Sequence, residues 1–177
     1  MLLIRLFNRS GRKPNQHWLL FHFLFFISCY LYNCPAYATC AGLGCTCSVG
    51  TTAVAFGNYD PTSASTATTT GNVAVTCSAL VIFTVSYTIS MNKGNSSSFT
   101  PRFMNLTGNH LNYNLYIDAA HTSIWGDGTA TTNIVSDSYT AIGLTETNNY
   151  TVYGLLPALQ AMPAGTYTDS ITVSVVF

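Results

Sequence analysis

Cysteine is the residue type in this chain whose number and spacing most clearly offer chemistry. Six occur in 177 residues: Cys29, Cys34, Cys40, Cys45, Cys47 and Cys77. The last four could hold a zinc ion as thiolates or pair as disulfides. Zinc sites use C-x₂₋₄-C pairs, whose two sulfurs reach two corners of a tetrahedron. Cys45-Thr46-Cys47 is instead a C-x-C, with no histidine near it in sequence, so no metal site is expected. An even count in an exported chain reads as two disulfides, and the spacing leaves their connectivity open.

Catalytic groups are scarce. Beyond residue 38 the histidines are His110 and His121; both read as solvated loop residues rather than bases. No G-x-S-x-G elbow and no G-x-x-x-x-G-K phosphate loop occurs. The six acids are dispersed, which removes a paired-carboxylate hydrolase, and Asp118, Asp127 and Asp137 lack calcium-loop spacing. Sequon matches at Asn95, Asn105 and Asn149 are what a Ser/Thr/Asn-rich chain gives by chance. These residues predict no enzyme, no catalytic residue and no cofactor.

Charge is sparse and uneven. Only 7% of the residues are charged, against about a quarter in ordinary soluble domains. Arg5, Arg9, Arg12 and Lys13 crowd the start, and the rest of the chain carries only Lys93 and Arg102. A nucleic-acid binder needs clustered cations on its folded body, so that class is excluded. The basic start runs into an apolar stretch from Trp18 to Tyr32, then Ala36-Tyr37-Ala38. This order is that of a secretory signal cut after Ala38, and the apolar run is short for a bilayer span of roughly 20 residues. The expected organisation is a signal peptide at 1–38 and one domain at 39–177. That domain sets two cations against six acids, for a formal charge of −4.

The elements that position these residues read as strands. Alternation of apolar and polar side chains marks half-buried strands at Asn72–Cys77, Val81–Met91, Leu111–Asp118, Tyr150–Leu156 and Tyr167–Phe177. A short one is expected around Val54 and Phe56. Thr62 to Thr70, built only of Thr, Ser and Ala, reads as an exposed loop. Asp60-Pro61 and Asp127-Gly128 are turn signals, the second suited to a hairpin. Short strands with turns between them predict an all-β antiparallel sandwich.

Several motifs in order resemble the spore coat protein U domain family, which includes subunits of archaic, Csu-like chaperone–usher pili. They are Phe56-Gly57-Asn58-Tyr59-Asp60-Pro61, Val73-Ala74-Val75-Thr76-Cys77, Arg102 with Met104, and Leu111-Asn112-Tyr113-Asn114-Leu115-Tyr116. Trp125-Gly126-Asp127-Gly128-Thr129, Tyr153-Gly154, Gln160 and Gly165-Thr166-Tyr167-Thr168-Asp169 follow. The resemblance implies an immunoglobulin-like sandwich lacking its last strand, completed by donor-strand complementation. The implied partners are a periplasmic chaperone, an outer-membrane usher and other pilus subunits. The implied place is the periplasm and then a cell-surface pilus serving attachment and biofilm formation. It also implies a bridge from the first cysteine cluster to Cys77, taken as Cys47–Cys77, which leaves Cys40–Cys45 as a small loop.

The terminal segment agrees with an unpaired edge, since Ile171, Val173, Val175 and Phe177 fall on one face and would line the groove for a donated strand. The segment Thr39–Thr46 is short for a donor strand and has only Leu43 as a large aliphatic, which suggests a tip or minor subunit. The competing expectation is a stand-alone secreted coat or carbohydrate-binding module using exposed aromatics such as Tyr116 or Trp125.

Overall fold

The computed structural model describes residues 39–177; the expected signal peptide, 1–38, lies outside the described residues. Nine strands form two sheets in which every strand pairing is antiparallel. No helix occurs among the described residues. The strands are β1 (Thr39–Ala41), β2 (Thr46–Thr52), β3 (Ala67–Ser78), β4 (Phe83–Met91), β5 (Arg102–Leu106), β6 (Asn109–Tyr116), β7 (Val135–Ala141), β8 (Thr145–Leu156) and β9 (Val173–Val176). One sheet runs β2-β3-β8-β6-β5. In the other, β4 has β7 on one side, and β1 and β9 share its other side end to end. Residues 39–177 form an all-β antiparallel sandwich.

Period-2 alternation builds the core. Phe83, Val85, Tyr87, Ile89 and Met91 of β4 are all buried, and they meet Val73, Val75 and Cys77 of β3 with Leu111, Tyr113 and Leu115 of β6. The intervening side chains of β4 are Thr84, Ser86, Thr88 and Ser90, which suit the wetter face.

Several sequence expectations need correction. The strand expected from Val81 begins at Phe83, and Leu80, Val81 and Ile82 form an exposed turn. The expected loop at 62–70 is strand from Ala67, because residues 67–70 find ladder partners in Tyr153–Leu156; threonine suits a pleated surface once a neighbour exists. Val54 and Phe56 lie in no strand. They cross the sheet over Gly71 and Gly154, where an added Cβ would stand 2.8 Å and 2.6 Å from Val54 methyl carbons. Asp127-Gly128 joins no hairpin, since β6 and β7 belong to different sheets. Asp127 instead caps its own turn, accepting from the Thr129 amide at 3.0 Å and the Thr129 hydroxyl at 2.6 Å.

A buried arginine ties the loops at one end. Arg102 is fully buried and donates to neutral oxygens only: the Asn92 carbonyl from Nε and Nη2, Asn114 Oδ1 from Nη1, and the Trp125 carbonyl from Nη2. Its guanidinium lies 5.0 Å from the Phe99 ring centroid. Burial pushes its pKa below the usual arginine range, an effect opposed by charges including Asp169 and Asp127. Trp125, also fully buried, donates from its indole nitrogen to the Ile89 carbonyl at 3.1 Å.

Candidate functional site

The two sheets do not close on each other along one side. There β2 is the last strand of its sheet and β9 lies at the margin of the other. Between them runs a cleft of about 730 Å³, whose lining includes Val49 and Thr51 from β2, Val73, Met91, Ile171 and Val173. It adjoins a hollow of about 530 Å³ beneath Phe56, Tyr59, Met162 and Tyr167. Val54, Phe56, Met104 and Tyr167 line both, so the two form one continuous groove whose apolar side chains alternate with polar ones such as Thr51, Asn72 and Asp169. A strand laid along it would find backbone donors and acceptors at the edge and side-chain pockets on the floor.

Of the terminal residues singled out from the sequence, Ile171, Val173, Val175 and Phe177 all lie half-buried on the inward face. Ile171 and Val173 line the cleft, whereas the Phe177 ring packs edge-on against Tyr87 with centroids 5.5 Å apart. The expected long terminal strand is short, because only Val173–Val176 pairs as one. The preceding stretch is held by Asp169. Its carboxylate accepts from the Tyr113 hydroxyl at 2.7 Å and the Asn95 amide at 2.8 Å. Burial, together with that bond to Asp169, pushes the Tyr113 phenol well above its ordinary range.

The cysteines gather at one end of the open side. Cys47 and Cys77 face each other across β2 and β3, with Cα atoms 4.1 Å apart, and are joined. Cys40 and Cys45 are joined across the turn between β1 and β2, with Cα atoms 5.7 Å apart. Cys77 is fully buried and the other three are half-buried.

Sequence reasoning missed an apolar end. Leu43, Leu80, Val81, Ile82, Ile142 and Leu144 are all exposed, Ile142 to 90%. Backbone hydrogen bonds from Leu80 to Leu43 and from Ala79 to Leu144 bring their three loops together. Those loops contain no charged residue. Each loop contributes only one to three aliphatics, so no single stretch of sequence reveals the patch.

The aromatic platform expected of a carbohydrate-binding module is not formed. Trp125 is buried beneath the loops and Tyr116 is half-buried against His121. Trp125 faces inward because its indole nitrogen finds the Ile89 carbonyl and its ring completes the core. His110 is exposed as expected but lies within β6, stacked on Phe103 at 3.8 Å. His121 sits in a turn after Asp118 and is half-buried. No group of three or more His, Cys, Asp or Glu side chains that could hold a metal occurs among the described residues.

Comparison with known proteins follows the same lines. Protein U of Myxococcus xanthus is 28% identical over 150 residues, covering 77% of this chain and 80% of Protein U. A solved structure, the CsuC–CsuE chaperone–tip adhesion subunit pre-assembly complex from archaic chaperone–usher Csu pili of Acinetobacter baumannii, contains a chain similar to 75% of this one. The match has 21% identity and a TM-score of 0.49, and this chain spans 40% of that chain. The family model of the Spore Coat Protein U domain matches residues 37–174. On that match the chain belongs to the Spore Coat Protein U domain family.

Proposed function

We propose that this protein is a structural or adhesive subunit of an archaic chaperone–usher pilus, completed by a strand from another chain. One observation carries the reading: the groove between the margins at β2 and β9 sets strand edges beside apolar side chains from both sheets, which is what acceptance of a strand requires. Family membership supports it. In this reading the chain is exported to the periplasm after loss of residues 1–38, captured by a strand-donating chaperone, passed through an outer-membrane usher, and joined to other subunits at the cell surface. Its role is architectural, with no catalytic step and no cofactor.

Residues 39–45 support a place at the end of the fibre. With cleavage after Ala38, these are what precedes β2, and they are already engaged in the chain's own fold. Thr39–Ala41 pair with Thr84–Ser86 of β4, and Cys40–Cys45 closes the segment. A segment so engaged cannot plug a neighbour, which suits a tip or minor subunit.

The test is co-expression with a periplasmic chaperone of the archaic chaperone–usher class. The expected result is a soluble one-to-one complex, with little free subunit, and a mature N-terminus at Thr39. Recovery of the domain alone as a stable monomer with cooperative two-state unfolding would instead support a stand-alone secreted coat module.

The apolar end supports the adhesive role and attachment of the kind that starts a biofilm. Exposed aliphatics clustered without charge favour contact with an apolar surface, each burying about 1.5–3 kcal/mol of side-chain transfer energy when fully covered. Replacing Ile142, Leu80 and Leu144 together by serine is expected to cut bacterial attachment to polystyrene at least about tenfold. Assembly of pili, read by electron microscopy, should be unchanged. Undiminished attachment by normally piliated cells would remove the apolar end from the adhesive role.

A further inference from the structure

The two disulfides touch. Cys40 Sγ lies 3.7 Å from Cys47 Sγ, although the two belong to different bridges. Their accessibility differs in a useful direction: the Cys40–Cys45 pair is half-buried, whereas Cys77 is fully buried. A thiol in solution therefore meets two half-buried sulfurs at the outer bridge and one, Cys47, at the inner. Cys77 is the buried leaving group whichever thiolate attacks Cys47, and its thiolate is desolvated as it departs. Cys40, held in contact with Cys47, differs from a thiol in solution in its high local concentration.

We propose that the four cysteines form a thiol–disulfide exchange unit, in which opening the outer bridge converts the inner one to Cys40–Cys47. The thiolate of a small thiol, or of a reduced dithiol oxidoreductase, attacks Cys45 Sγ. A mixed disulfide forms at Cys45 and Cys40 leaves as a thiolate. That thiolate attacks Cys47 Sγ, the Cys40–Cys47 bond forms, the Cys47–Cys77 bond breaks, and Cys77 leaves and takes a proton from water. One thiol is consumed, ending as the mixed disulfide at Cys45, and one thiol appears at Cys77.

The structural consequence follows from where the strands lie. Cys40 is on β1, in the sheet of β4 and β9, while Cys47 is on β2, in the other sheet. The new bridge ties the two sheets together on their unclosed side, at one end of the groove. It releases the covalent link between β2 and β3, leaving β2 to its ladder alone. Exchange thus trades a link within one sheet for a clamp between sheets. The device stands whether or not the groove accepts a donated strand.

The experiment uses the full chain as exported by an expression host, treated with millimolar reduced glutathione, acid-quenched, alkylated and peptide-mapped. The parent chain is expected to yield a Cys40–Cys47 linked peptide together with glutathione on Cys45 and alkylated Cys77. Cys45→Ser, which leaves Cys40 as a standing thiol, should contain that linkage without any reductant. In the double variant Cys40→Ser/Cys45→Ser, opening of the Cys47–Cys77 bridge by glutathione should be at least about tenfold slower than in the parent chain. Two results would overturn the proposal: Cys47–Cys77 as the sole bridge in Cys45→Ser, or equal opening rates in the parent and the double variant.

Discussion

Replacing Val173 by aspartate is expected to abolish capture of the protein by a strand-donating chaperone, whereas Val176→Asp should leave it intact. The two residues are three apart on β9 and differ in facing. Val173 is half-buried and lines the groove, while Val176 is 50% exposed on the outer face. In the proposed complex a donated strand would cover Val173 and remove its surroundings from water. A carboxylate there must be buried without a partner or protonated, at a cost of several kcal/mol. At 1.4 kcal/mol for each tenfold, about 3 kcal/mol already lowers affinity roughly a hundredfold. The measurement is the amount of subunit copurified with tagged chaperone from periplasmic extract. Parent-level recovery of Val173→Asp would mean that the groove is not where the strand enters, and loss of both variants alike would mean that charge on β9 acts through folding.

Arg102→Met should destabilise the folded chain by about 3–5 kcal/mol, close to the whole stability of many domains. The guanidinium satisfies the carbonyls of Asn92 and Trp125 and the Asn114 side chain, all by bonds of 2.6–3.1 Å. Methionine fills part of the volume but donates nothing, so acceptors in three different segments lose their partner at once. Each buried acceptor left unpaired costs about 1–3 kcal/mol. Asn114 also accepts from the Leu115 amide and donates to the Phe99 carbonyl, so the damage should spread to the loop at Phe99. Arg102→Lys keeps the charge but cannot span the same acceptors from one planar fork, and should lose nearly as much. Denaturant unfolding of the chaperone-released or self-complemented protein measures both. A loss under about 1 kcal/mol for Arg102→Met would show that water replaces the guanidinium and that the loops hold without it.

The sandwich and its core are legible in the sequence alone. Alternation along Phe83–Met91 and Val73–Cys77 is local, since a pleated strand sends neighbouring side chains to opposite faces whatever it packs against. The order of motifs likewise placed the chain in its family. Polar strands were hidden for the converse reason. Thr46–Thr52, Ala67–Thr70 and Val135–Ala141 become strands because a neighbour offers a ladder, and nothing in their own residues demands it. Long-range closeness was hidden as well. The apolar end gathers Leu43, Leu80 and Ile142 from loops far apart in the chain. Contact between Cys40 and Cys47 requires β1 and β2 to lie on the same open side of two sheets. Trp125 offers a large ring and a single donor, and only the fold supplies the core that buries the ring and the Ile89 carbonyl that pairs the donor. Periodicity reports the face of one element, whereas a groove, a patch or a sulfur contact depends on the placement of several, and that placement is decided by tertiary packing.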